Sequence, residues 1–215
     1  MRAPLSALRL LAALLFALAS AAALAGAQQY EPLAASVRAA LHEAVSDAVA
    51  PTLPITDAGE RARWLAEMSR RLQKRLPDAN YRAELLTSIH YEATRAGLDP
   101  QLVLGLIQVE SNFRKYAISS ASARGYMQVM PFWLKVMNRP DDNLFHLRTN
   151  LRYGCTILRH YLDIERGDLF RALGRYNGSL GKAEYPNLVR AAWETHWSWQ
   201  PQQLAASAGT ASPSN

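Results

Sequence analysis

From about Thr56 to Trp199 the apolar residues recur at helical spacing, and no stretch alternates apolar with polar for more than a few residues. That single pattern excludes a sheet-based fold and predicts an all-α body of six or seven helices. The starts and stops are written locally. Asp57 can cap a helix carrying Trp64, Leu65, Met68 and Leu72, which ends near Pro77. Asp78 can cap the next, with Leu85, Leu86, Ile89 and Ala93 on one stripe before Gly97. Asp99-Pro100 opens a third, with Asp as cap and Pro in the first helical position. A long helix is expected from roughly Asn143 to Arg166, stopped by Gly167, and two shorter ones from Asp168 and from about Tyr185.

The ends read differently. Arg2 and Arg9 precede an apolar run, Leu10 to Leu18, and small residues follow up to Ala25-Gly26-Ala27. This is the order of a secretory signal peptide over 1–27, and it predicts export to the periplasm. No Cys follows the Leu-Ala-Gly stretch, so a lipoprotein is not expected, and neither is a stable membrane anchor. Removing this segment takes away two arginines and no acid, which lowers the formal net charge from +6 to +4. Residues 28–77 read as an N-terminal helical segment and linker. Within it 28–55 form a loosely attached helix (Val37, Leu41, Val45, Val49) broken by Pro51 and Pro54. Residues 78–199 read as the main domain, and 200–215 as a small, polar, disordered tail. The lone Cys155, amid Tyr153, Ile157 and Leu158, reads as a buried small hydrophobe.

The basic run Arg70, Arg71, Lys74, Arg75 lacks interleaved aromatics, so a solvated helix face is expected and no nucleic-acid partner. The five His show no metal-binding spacing, and neither a metal nor a cofactor is expected. Trp193 and Trp197, four residues apart, are expected to dock a terminal helix.

The informative segment is Gln101 to Pro131. Its helix has an apolar stripe, Leu102, Val103, Leu106, Ile107, and the next member is Glu110. Burial and the negative end of the helix dipole both penalise a charged carboxylate there. A carboxyl held protonated near neutral pH is what a general acid needs, although a buried Glu paired with Arg has the same pattern.

Glu110-Ser111, then Gly125-Tyr126-Met127-Gln128, then Arg175-Tyr176-Asn177-Gly178 follow in order, with Asn150-Leu151-Arg152-Tyr153-Gly154 between the last two. Over roughly residues 80–197 the chain resembles the soluble lytic transglycosylase family, with a goose-type-lysozyme-like fold. The resemblance implies a peptidoglycan lytic transglycosylase in which Glu110 is the sole acid and base. It cleaves the β-1,4 bond between N-acetylmuramic acid and N-acetylglucosamine and leaves a 1,6-anhydro end. It also implies that Ser119 lies near the acetamido group, that Gln128 and Met130 line the sugar groove, and that Tyr176 and Asn177 orient acid and substrate. Tyr126 departs from the family's Leu, and Gly178-Ser179 from its Ala-Gly.

One acid is consistent with such chemistry. Hydrolytic glycosidases use two carboxylates, and between Asp99 and Pro140 the only acidic residue is Glu110. A muramidase hydrolysing the same bond would need Glu165, Asp168 or Glu184 across the groove. A catalytically idle glycan-binding module of an envelope assembly complex would have no need of a buried acid. The expected partner is the glycan strand, met by a monomer.

Overall fold

The computed structural model describes residues 28–46 and 57–200. The segment 1–27, Val49, Pro51, Pro54 and the tail beyond residue 200 lie outside the described residues. The helices, in chain order, are α1 (Ala35–Ser46), α2 (Ala58–Leu72), α3 (Ala79–Arg95), α4 (Pro100–Ser111), the short α5 (Phe132–Val136), α6 (Leu147–Ile164), α7 (Leu169–Asn177) and α8 (Glu184–Ala192). A π-helical turn, Trp193–Trp197, continues α8. The described residues contain no strand, only isolated bridges of Arg124 with Ile118 and Val129. The all-α architecture matches the periodicity.

The helix starts follow from short side chains that satisfy the first free amides. Asp57, Asp78, Asp99 and Asp168 each accept a backbone N–H from Glu60, Tyr81, Gln101 and Arg171. Gly97 and Gly167 stand at φ +67° and +87°, where a side chain would be strained. The long helix begins four residues later than expected. Asn143 instead folds 143–146 into a turn, its side chain accepting the Phe145 amide and its carbonyl the His146 amide.

Helix α6 buries 12 of its 18 residues and packs against α1, α3 and α7, while α4 packs on α3, α8 and the π turn. One apolar cluster spans the described helices, from Leu41 and Trp64 through Ile107 and Leu151 to Val189 and Trp197. Cys155 is buried there, and burial raises its thiol well above the ordinary range.

The N-terminal segment is not loosely attached. Leu41 and Val45 are buried, and Gln28 accepts the Trp133 indole N–H at 2.7 Å. His42 Nδ1 pairs with the Met137 carbonyl, and Arg95 donates to that of Ala44. The apolar stripe alone predicts the helix, but these partners lie 51 to 105 residues away in the chain.

Two buried carboxylates away from α4 are neutralised by cations. Glu92 receives both Arg152 and Arg95. Glu165 receives Arg171 and Arg175, and Arg175 also reaches Glu31.

Candidate active site

Helix α4 ends abruptly after Ser111. Asn112 and Phe113 both take the left-handed conformation, at φ +49° and +62°. For a bulky residue this costs roughly 1–2 kcal/mol. Burial of the Phe113 ring against Trp197, with centroids 5.3 Å apart, offsets that cost. The reversal sends 114–131 back as an irregular loop, with Glu110 at its base.

Three features hold this loop against the helices. Ser111 Oγ donates to the Tyr126 carbonyl at 2.7 Å. Asn150, on α6, accepts the Met127 amide and donates to the carbonyls of Arg124 and Leu144, each at 2.8 Å. Gly125 and Gly154 leave room for these contacts. A Cβ on Gly125 would fall 2.4 Å from Asn150 Nδ2, and one on Gly154 would fall 2.3 Å from Met127 Sδ. Tyr126, the departure from the family's Leu, is buried and shares a 2.5 Å hydrogen bond with the Tyr81 hydroxyl.

Glu110 is 3% exposed and lies near none of the cations that neutralise Glu92 and Glu165 by ion pairing. Its Oε1 accepts the Tyr185 hydroxyl at 2.5 Å. Its Oε2 is buried without a hydrogen-bond partner. Burial pushes its pKa up to about 8, and the Tyr185 hydrogen bond offsets part of that rise. At neutral pH the carboxyl therefore keeps its proton, on a group with one oxygen held and the other uncommitted. The hydroxyls of Tyr176 and Tyr185 are both driven well above their ordinary range, first by burial and then by Glu110, so they act as donors.

The other anticipated residues fall around this acid with different commitments. Tyr176 is buried in α7, and its hydroxyl donates to the Met127 carbonyl at 2.7 Å. The hydroxyl that reaches Glu110 Oε1 is that of Tyr185. Asn177 closes α7 and is buried. Gln128 is buried at φ +48°, and its amide donates to the carbonyls of Ala117 and Gly125. That hydrogen bonding turns the amide inward on the loop. Ser119 is half-buried, and its Oγ accepts the Ala123 amide at 3.1 Å. Met130 is half-buried against the core.

Of the carboxylates that could assist Glu110, Glu165 is held by two arginines and Asp168 caps α7. Glu184 is exposed in the first turn of α8.

Known proteins resemble part of this chain in sequence. Residues 87–191 match the transglycosylase SLT domain family. The chain carries a transglycosylase SLT domain. Membrane-bound lytic murein transglycosylase C of Histophilus somni (strain 2336) is 38% identical over 112 residues, covering 45% of this chain and 31% of the relative. The transglycosylase of Enterobacteria phage PRD1 is 35% identical over 88 residues, 41% of this chain and 32% of the relative. A 46-residue stretch is 52% identical to membrane-bound lytic murein transglycosylase C of Haemophilus influenzae (strain PittEE), 21% of this chain and 13% of that protein. The chain thus spans no more than about a third of the curated relatives it matches. No solved structure matches it. Among the described residues, no helix of this SLT protein is long and apolar enough to cross a membrane.

Proposed function

We propose that the chain is an exported peptidoglycan lytic transglycosylase of the periplasm. It cleaves the β-1,4 bond between N-acetylmuramic acid and N-acetylglucosamine without water. The observation that carries this reading is Glu110: a buried carboxyl protonated at neutral pH, steadied by Tyr185 and without a paired cation. The SLT match and the murein transglycosylases among the relatives supply the substrate class.

The reaction balances on one carboxyl. Glu110 gives its proton to the glycosidic oxygen as the C1–O bond breaks, and the N-acetylglucosamine side leaves as an alcohol. The muramic acid's own C6 oxygen then bonds to C1, and its hydroxyl proton passes to the Glu110 carboxylate. The acid is regenerated and a 1,6-anhydro ring is closed. An intramolecular nucleophile gains from proximity, and no water has to be activated by a second base. The commitments of Glu165 and Asp168 to arginines and to a helix cap support this one-acid route over hydrolysis. Ser119, Gln128, Met130, Tyr176 and Asn177 form the surrounding wall in this reading, with Gln128 and Tyr176 supporting the loop that bears it.

The test is release of soluble fragments from purified sacculi by the wild type and by Glu110→Gln, which keeps the shape and removes the transferable proton. Loss of at least about a thousandfold in rate is expected for a residue that serves both steps. Equal digestion by the two would remove Glu110 from the mechanism. A wild type that pelleted with sacculi and released nothing would make the domain a binding module.

A further inference from the structure

Helix α2 and the last described turn form a basic trough. One depression of 550 Å³ is lined by Arg63, Glu67, Arg70, Arg71 and Trp199, among others. A second, of 430 Å³, is lined by Arg70, Arg71, Arg75 and residues 195–198. They share Arg70 and Arg71 and so lie side by side. Four arginines and one carboxylate line the whole.

The charge is not cancelled within the trough. Glu67 serves both Arg70 and Arg71, and their hydrogen bonds hold its carboxyl at about 2, so it stays ionised but neutralises only one of them. Arg63 has a long 3.9 Å contact with the exposed Asp57, and such surface pairs contribute little. Arg71 also donates to the carbonyls of His196 and Ser198, which ties the two walls together, and the Trp199 amide donates to Gln101 Oε1 on α4. Arg75 donates to Asn112 Oδ1, two residues beyond Glu110. One end of the trough therefore meets the end of the helix that carries the acid. Helix α2 and Trp199 both lie outside residues 87–191.

We infer that this trough binds the carboxylate-bearing stem peptides of the strand being cleaved, an inference that rests on the peptidoglycan reading for the identity of the ligand. Guanidinium groups take carboxylates in bidentate geometry, and a row of them suits acidic groups spaced along an extended peptide. Trp199 supplies a flat apolar face beside them. The lining contains no aliphatic side chain larger than Ala, and concave walls fit a strand better than a lipid surface.

The experiment uses the full chain bearing Glu110→Gln, so that the ligand stays intact. Calorimetry compares a disaccharide-tetrapeptide from sacculi with the same disaccharide lacking its peptide. The peptide-bearing probe is expected to bind at least about tenfold tighter, with the advantage shrinking as salt rises. The double variant R63E/R70E should abolish that advantage, R63Q/R70Q should reduce it, and R63K/R70K, which keeps the charge but loses the bidentate fork, should keep only part of it. Equal affinity for the two probes, or an advantage that survives in both R63E/R70E and R63Q/R70Q, would overturn the inference. So would a result in which R63E/R70E loses binding to phosphatidylglycerol vesicles and keeps its preference for the peptide. Binding is read without turnover, so a wild type that makes no anhydro product would defeat the catalytic reading separately.

Discussion

Replacing Tyr185 by Phe removes one oxygen, the donor to Glu110 Oε1 at 2.5 Å, and leaves the ring that fills the site. A hydrogen bond to a charged acceptor is worth about 1.5–3 kcal/mol, and one to a neutral acceptor about 0.5–1.5. Tyr185 thus favours the ionised form of Glu110 by about 1–1.5 kcal/mol, or roughly one pKa unit. Its effect on Glu110 is downward, against the larger upward push of burial. The Y185F variant should therefore carry an acid titrating near 9, where the wild type titrates at about 8. Carboxyl infrared absorption with Glu110→Gln as the blank reports this titration directly. The alkaline limb of fragment release should move up by the same amount. Maximal rate should fall, because a weaker acid protonates the leaving oxygen less readily and the carboxyl has lost the contact that orients it. An unmoved or lowered titration in Y185F would refute the reasoning, since the Tyr185 hydroxyl would then not be what lowers the Glu110 pKa.

Further outcomes follow from the same geometry. Glu110 holds its proton more tightly when folded than in the unfolded chain, where its value is 4.5, so the stability it contributes is full below pH 4.5 and is lost as pH rises through about 8. Glu110→Gln should accordingly melt higher than wild type at pH 7, by about 3 kcal/mol, with the difference vanishing near pH 4 in calorimetric scans. Glu92→Gln would leave the buried Arg152 guanidinium without its countercharge. A loss of about 3–5 kcal/mol in urea unfolding is expected, with fragment release per folded molecule little changed. Gly154→Ala would push a methyl group into Met127 Sδ and Cβ, at 2.3 and 2.7 Å. A loss of about 1–3 kcal/mol is expected, with activity falling as well because Met127 also receives the Tyr176 hydroxyl.

Features held by neighbours in the chain were legible, and those assembled over long separations were not. The caps at Asp57, Asp78, Asp99 and Asp168 use amides two or three residues onward, so composition and order suffice to place them. Glu110 was visible because helical spacing put it on an apolar stripe. Tyr185 carried no comparable signal. It opens a short helix beside Glu184 and Pro186, and its partner lies 75 residues earlier. Tyr176, whose orienting role the family resemblance implies, gives its hydroxyl to the Met127 carbonyl, a direction that the Tyr-Asn motif does not specify. The docking of α1 was missed for a related reason: Leu41 and Val45 predict a helix, but Trp133, Met137 and Arg95 decide where it rests. Arg71 and Arg75 likewise read as a solvated run, because their partners, the carbonyls of residues 196 and 198 and the side chain of Asn112, are remote in sequence.

The central claim is that Glu110 works alone, with the sugar's own C6 hydroxyl in place of water. Digestion of purified sacculi in oxygen-18 water, followed by mass spectrometry of the soluble muropeptides, tests it directly. The account predicts 1,6-anhydro ends, one water lighter than reducing ends and free of the heavy isotope. Reducing ends carrying oxygen-18 would contradict it and make the chain a hydrolase.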